Sequence, residues 1–181
     1  MSRLPAIQTK TAGPKAKQLL EAVQAKLKIT PNMTRVMANS PAVLEGYLAF
    51  SGALSGGSLP AKLREEIALA VGEQNGCQYC VSAHTAIGKL TGLTDTEIEA
   101  ARGAWSNSPK HAAALEFVRQ VVAQRGRITD ADFDAVRSAG FGDGEIAEII
   151  AHVALNVFTN YFNTASEVEL DFPRIALRES A

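Results

Sequence analysis

Glu65-Glu66-Ile67-Ala68-Leu69-Ala70-Val71-Gly72-Glu73-Gln74-Asn75-Gly76-Cys77-Gln78-Tyr79-Cys80-Val81-Ser82-Ala83-His84 contains both cysteines of the chain and one of its three histidines. Leu63, Ile67, Ala70, Val71 and Gln74 recur at helical spacing, which predicts a helix opening at Pro60. Asn75-Gly76 stops it, glycine being suited to a left-handed C-terminal cap. A second helix starts at once, at Gly76 or Cys77, and runs to about Leu90, where Thr91-Gly92 closes it. Positions 77, 80 and 84 are then i, i+3 and i+7, so two thiols and an imidazole share one face. Cysteines three apart in a first turn are within disulfide reach. The unpaired N–H groups and positive dipole at the helix N-terminus favour thiolate over thiol. His84, one turn beyond Cys80, can exchange a proton with its sulfur. These are the parts of thiol redox chemistry: an attacking thiolate, a resolving thiol and a base that titrates near neutrality.

Working outward, the remaining chain reads as helices separated by turns. Residues 1–13 form an extended lead-in. Leu19, Leu20, Val23 and Leu27 mark a helix from Pro14 that Thr30-Pro31 stops, and Met33, Val36 and Met37 a short one. Ser40-Pro41 supplies an N-cap followed by proline at the first helical position, opening a helix to about Ala53. Downstream, Thr94 and Glu97 form a capping-box pair for a helix to about Ala104. Residues 109–125 are helical with Leu115, Val118 and Val122 buried, Thr129-Asp130 caps a helix to Ser138, and Asp143 opens a long helix to about Glu167. A tail, 170–181, follows. No stretch alternates with period 2. The fold class is therefore all-α, one domain over 1–181 with about eight helices and its core motif at 60–92.

Composition limits function. At 181 residues the chain can bury a substantial core, and 46% hydrophobic with 20% charged residues is ordinary for a globular protein. A net charge of −1 gives no reason to expect nucleic acid or an anionic membrane surface as partner. No apolar run approaches the roughly 20 residues of a membrane span, and the first residues lack the apolar core of a secretory signal. The expected location is cytoplasmic, where a C-x-x-C is catalytic or metal-binding more often than a structural disulfide.

Two plainer readings compete at the cysteines. They could be small core residues with His84 as a satisfied neighbour. Alternatively Cys77, Cys80 and His84 could bind zinc, but a structural site normally draws a second ligand pair from elsewhere, and only the unpaired His111 and His152 remain. The reading adopted needs no metal and no cofactor. Glu73, one turn before Cys77, is a lesser acidic candidate. In the last helix His152, Asn156, Asn160 and Asn163 form a polar stripe on an apolar helix, either a buried seam or subunit contact or a lining for the thiol pocket. Trp105 and His111 receive no role.

Glu65, then eleven residues, Cys77-x-x-Cys80, three residues and His84 resembles the core pattern of the alkylhydroperoxidase D/carboxymuconolactone decarboxylase family. The stretch from Ala151 to Asn163 is similar to one subgroup of it. The resemblance implies an all-helical fold, trimers or hexamers, and reduction of organic hydroperoxides or hydrogen peroxide. It also implies roles: Cys80 attacks the peroxide, Cys77 resolves, and His84 with Glu65 relays protons. An external dithiol or lipoyl-protein would be the reductant. Some members carry histidine just before the second cysteine; here it is Tyr79, so a proton path through that histidine is absent. Helix-dipole logic alone favours Cys77 as nucleophile, but the attacking sulfur needs the proton carrier beside it, which favours Cys80. Two other classes remain to be separated: a decarboxylase-type lyase needing only His84 and Glu65, and a thiol sensor that forms its disulfide without turnover. The apolar tail (Leu170, Phe172, Ile175, Leu177) is expected to dock, on its own protomer or on a neighbour, and a homo-oligomer with subunit contacts from the last helix and tail is expected.

Overall fold

The computed structural model describes residues 2–178; Met1 and the last three residues of the tail, 179–181, lie outside the described residues. Among the described residues there are nine α-helices and no strand: α1 Pro14–Leu27, α2 Asn32–Met37, α3 Pro41–Ser55, α4 Ala61–Gln74, α5 Gln78–Leu90, α6 Asp95–Arg102, α7 Pro109–Ala123, α8 Asp130–Ser138 and α9 Asp143–Ser166. The all-α expectation agrees with this, and the short α2 brings the number to nine. Among the described residues no helix is long and apolar enough to cross a membrane.

α4 is the central element, packed against α5, α6, α7 and α9. Its middle, Glu66 to Gly72, is buried without a break, the pattern of a helix enclosed on all sides. Leu63, Ile67, Leu69 and Val71 join Leu115, Val118 and Ile149 in the largest apolar cluster. A second cluster, built on Leu20, Met37 and Leu44, joins α1, α2 and α3. Val122, expected to be buried, is only half-buried on the edge of the first cluster, while Val121 turns inward.

The join between α4 and α5 sets the geometry of the thiol segment. Gly76 takes φ +64°, its N–H bonds the carbonyl of Glu73, and the Cys77 N–H bonds that of Gly72. This is a Schellman cap, which only a residue tolerant of positive φ can make cheaply. α4 ends and α5 begins within three residues, and the helices lie close: a Cβ on Gly72 would stand 3.5 Å from Cys80 Cβ. Thr94 and Thr129 close capping boxes with Glu97 and Asp132, whereas Ser40 occupies the N-cap of α3 without a side-chain bond.

After α9 the chain reverses at Glu167, which adopts a left-handed conformation. The tail then runs back across α5 of its own chain. Asp171 Oδ1 accepts from the Tyr79 hydroxyl at 2.8 Å, Gln78 donates to the Ile175 carbonyl at 3.3 Å, and the Ile175 N–H donates to Ser82 Oγ at 3.0 Å. Phe172 packs edge-on against Tyr79 with ring centroids 5.7 Å apart. The apolar tail thus docks within the protomer.

Candidate active site

Cys77 is the N-cap residue of α5, one position before the first helical residue, and its sulfur accepts the Cys80 N–H at 3.2 Å. The two cysteines form a disulfide across a Cα–Cα distance of 5.3 Å. Both are almost fully buried, at 1% and 2% exposure, beneath Val36, Met33, Phe162, Val168 and the tail aromatic Phe172. A cleft of about 210 Å³, walled in part by Gly76, Gln78, Tyr79, Asn163 and Leu170, reaches Cys77. A larger hollow of about 440 Å³ lies between the N-terminal ends of α1 and α3 and includes neither cysteine.

His84 stands one turn along α5 from Cys80, and its Nδ1 lies 2.8 Å from Glu65 Oε2 on α4. Both side chains are mostly enclosed, at 24% and 16% exposure, so this pair is shielded from bulk water. Tyr47 of α3 and His152 of α9 sit within electrostatic range of the same carboxylate. Burial pushes the Tyr47 phenol up, the Ser51 hydroxyl partly offsets this, and the Glu65 charge adds to it. Tyr79 commits its hydroxyl to Asp171 and accepts the Met33 N–H at 3.2 Å.

The neighbouring carboxylate has a different partner. Adjacent helical residues point about 100° apart, and Glu66, only 3% exposed, pairs with His111 of α7 at 2.6 Å. Burial raises its carboxyl, and the imidazole pulls it back. Sequence alone gives His111 no role. A usable signal was present: Glu66 falls three residues after Leu63 on the apolar stripe of α4, and a carboxylate there demands a buried partner. Glu73, the lesser acidic candidate, binds Arg102 at 2.6 Å and the Arg178 N–H at 2.6 Å, so it ties α4 to α6 and the tail.

The polar stripe of α9 is buried along its length, from His152 through Asn156 and Asn160 to Asn163. Asn160 accepts from Asn75 at 2.9 Å, tying α9 to the end of α4. The last member reaches the thiols: Asn163 Nδ2 lies 3.3 Å from Cys80 Sγ. The stripe is therefore a seam at one end and a lining of the cysteine site at the other. At the seam end, His152 Nε2 has no hydrogen-bond partner among the described residues. Burial and the Arg64 charge hold this imidazole below its ordinary range, against the opposing pull of Glu148 and Glu65.

The depressed His152 has a consequence for stability. The unfolded chain takes up its imidazole proton near the ordinary value of about 6.5, whereas the folded chain resists it. Stability is fully present above that value and falls as the pH drops below it, by at most about 1.4 kcal/mol per pH unit from this one group. Urea midpoints measured between about pH 7 and pH 5 should fall more steeply in the parent than in His152→Gln. Parallel slopes would remove His152 from the account.

Part of the sequence and most of the fold match known proteins. Residues 41–120, from α3 into α7, match the family model described as the carboxymuconolactone decarboxylase family. Over most of its length the chain resembles solved structures of peroxidase-related proteins. It is similar to the alkylhydroperoxidase core of a peroxidase-related protein from Ralstonia eutropha JMP134, at 26% identity and TM-score 0.85, over 94% of this chain and 92% of that one. A peroxidase-related protein from Silicibacter sp. TM1040 is also 26% identical, with TM-score 0.81 over 92% and 88% of the two chains. The fold recurs in the debrominase Bmp8, at 21% identity and TM-score 0.75 over 87% of each chain. No curated protein matches the sequence. The Cys77–Cys80 disulfide, in a chain that matches this family model over residues 41–120, fits thiol-based redox chemistry. Among the described residues no group of three or more His, Cys, Asp or Glu is placed to hold a metal ion.

Proposed function

We propose that this protein is a thiol-dependent peroxidase that reduces organic hydroperoxides or hydrogen peroxide. The observation that carries the reading is the pairing of Glu65 on α4 with His84 on α5, the helix that bears the disulfide at its N-terminus. In the reduced protein the Cys80 thiolate attacks the terminal peroxide oxygen, the O–O bond breaks and an alkoxide departs. A hydrogen bond from His84 Nδ1–H to Glu65 leaves Nε2 to take the proton that the Cys80 thiol gives up on becoming a thiolate and to pass it to that alkoxide. Cys77 then attacks the Cys80 sulfenic acid, expelling water and forming the disulfide. An external dithiol, free or carried as a lipoyl group on a protein, returns both cysteines to thiols by exchange. The two peroxidase-related proteins at 26% identity support the substrate class. The cytoplasm, kept reducing, suits this cycle.

The purified protein, supplied with a dithiol and cumene hydroperoxide, should consume both over many turnovers. Stoichiometric disulfide formation without turnover would instead mark a sensor. Decarboxylase-type lyase activity that survives serine at both cysteines would mark the third class.

Assembly belongs to the same proposal. With the tail docked on its own chain, the support for a trimer or hexamer is the apolar surface left facing outward on α3 and α9: Phe50, Ile150, Phe158 and Tyr161 are 37–62% exposed. Light scattering after gel filtration should give a multiple of 19.2 kDa. A mass of one chain at micromolar concentration overturns it.

A further inference from the structure

Beyond Cys77, Cys80, His84 and Glu65, we propose that Asn163 is a fifth catalytic residue, its side-chain amide donating to the Cys80 sulfur and holding it as a thiolate. The inference rests on the redox reading of the cysteine pair and adds a group from another helix, 83 residues further along the chain.

The geometry is specific. Asn163 is 3% exposed and sits three residues before the end of α9, where Phe162 beside it packs on the cysteine cluster. Its Nδ2 lies 3.3 Å from Cys80 Sγ and 3.3 Å from Met33 Sδ. Neither the disulfide sulfur nor the thioether carries a hydrogen, so only the NH₂ end of the amide can bond there. The carbonyl end is left buried with no partner among the described residues. A buried amide that satisfies its donors on two sulfurs and leaves its acceptor empty is poorly rewarded in the oxidised protein, because both sulfurs are weak acceptors.

Reduction changes the balance. When the disulfide takes up two electrons, Cys80 Sγ becomes an anion 3.3 Å from a fixed N–H. A hydrogen bond to a charged acceptor is roughly twice as strong as one between neutral groups, and more so away from water. The gain comes only in the thiolate. Asn163 therefore favours the reduced, ionised form, lowering the proton affinity of Cys80 and making its sulfur the better leaving group when a reductant thiolate attacks Cys77. In that exchange the reductant sulfur bonds to Cys77, the Cys77–Cys80 bond breaks, and the electron pair stays on Cys80 beside the amide. The reductant's second thiol then displaces Cys77. This gives the preference for Cys80 as nucleophile a cause besides His84.

Titratable groups on the elements around Cys80 include Tyr79 and His84 on α5, Glu65, Glu66 and Glu73 on α4, Tyr47 on α3, Arg35 on α2, Glu148, His152 and Tyr161 on α9, Glu167 where α9 ends and Asp171 in the tail. Asn163 does not titrate, so its removal shifts the thiol without adding or deleting a charge.

The test measures the thiol itself, which keeps it separate from the peroxidase assignment. In a Cys77→Ser background, thiolate absorbance at about 240 nm and the pH dependence of alkylation give the Cys80 pKa. Asn163→Leu should raise it by about one unit or more, tenfold in the thiolate-to-thiol ratio. Asn163→Asp, of the same shape with a carboxylate in place of the donor, should raise it further. With both cysteines present, each variant should have a more negative disulfide potential in a thiol–disulfide buffer. A purely structural asparagine would lower the melting temperature and leave the pKa and potential unmoved, which overturns the proposal. Should both variants fail to fold, the assigned side-chain amide resonance of Asn163 in the parent protein decides. It should move downfield on reduction, and an unchanged position refutes the bond.

Discussion

Cys80→Ser should abolish hydroperoxide turnover, while Cys77→Ser should retain one rapid turnover and then stop. The two thiols are equal in sequence and almost equal in burial, but not in surroundings. Cys80 has His84 one turn along its own helix and the Asn163 amide at 3.3 Å. Cys77 sits at the N-cap, where its sulfur accepts the Cys80 N–H and faces the cleft that skirts the start of the tail. Loss of the nucleophile removes the covalent route, so the rate with peroxide and dithiol should drop at least about a thousandfold, to the background of the reductant alone. Loss of the resolving thiol leaves the first step intact: one equivalent of peroxide is consumed and a sulfenic acid remains on Cys80, which dimedone should trap in a single adduct by mass spectrometry. Excess peroxide should then carry it to the irreversible acids. Undiminished activity in Cys80→Ser would sink the mechanism. A dimedone adduct on Cys77 in Cys80→Ser, formed as fast as in the converse variant, would make Cys77 the nucleophile.

What the sequence disclosed about this site follows from range. Cys77, Cys80 and His84 lie on one helix, so their shared face is a matter of spacing alone. Glu65 lies on the helix before, and the Asn75-Gly76 stop fixes how the two helices fold back on each other. The capping boxes at Thr94 and Thr129 are local in the same sense, and the structure forms both. Asn163 was visible as part of a polar stripe, but which neighbour faces that stripe depends on how α9 crosses α5, a tertiary fact. The tail shows the same boundary. Its apolar residues announced that it would dock; that the docking partner is the cysteine helix depends on Asp171 meeting Tyr79 and Ile175 meeting Ser82, contacts spanning more than ninety residues. His111 lies on another helix from Glu66, so although a carboxylate at a core position of α4 requires a buried partner, only the packing of α7 on α4 names it.

Arg102→Met should destabilise the fold by about 3 kcal/mol or more and loosen the tail over the cysteines. The guanidinium, 6% exposed, ends α6 and makes three bonds to three elements. Nε reaches Glu73 on α4 at 2.6 Å, Nη1 reaches Glu99 on α6 at 2.6 Å, and Nη2 reaches the Ala176 carbonyl of the tail at 2.7 Å. Burial disfavours its charge, but the bonds to Glu73 and Glu99 more than compensate. Methionine fills similar volume and leaves the Glu73 carboxylate, 9% exposed, with the Arg178 N–H as its remaining bond among these contacts. An unpaired buried charge of this kind is what makes breaking such a pair costly, whereas replacing both members by apolar groups is often close to neutral. Arg102→Met combined with Glu73→Leu should therefore recover much of the loss, and urea unfolding of the two singles and the double measures the coupling. Arg102→Lys keeps the charge but cannot span all three acceptors, and should fall between. The functional reading of the same change is access. With Ala176 released, the strap held at Gln78, Tyr79 and Ser82 loses one of its anchors at α6, the Arg178–Glu99 pair remaining, so the reduced cysteines of Arg102→Met should be alkylated faster than the parent's under conditions where both remain folded. A single variant within about 1 kcal/mol of the parent, with unchanged alkylation, would show that the network holds neither the core nor the tail.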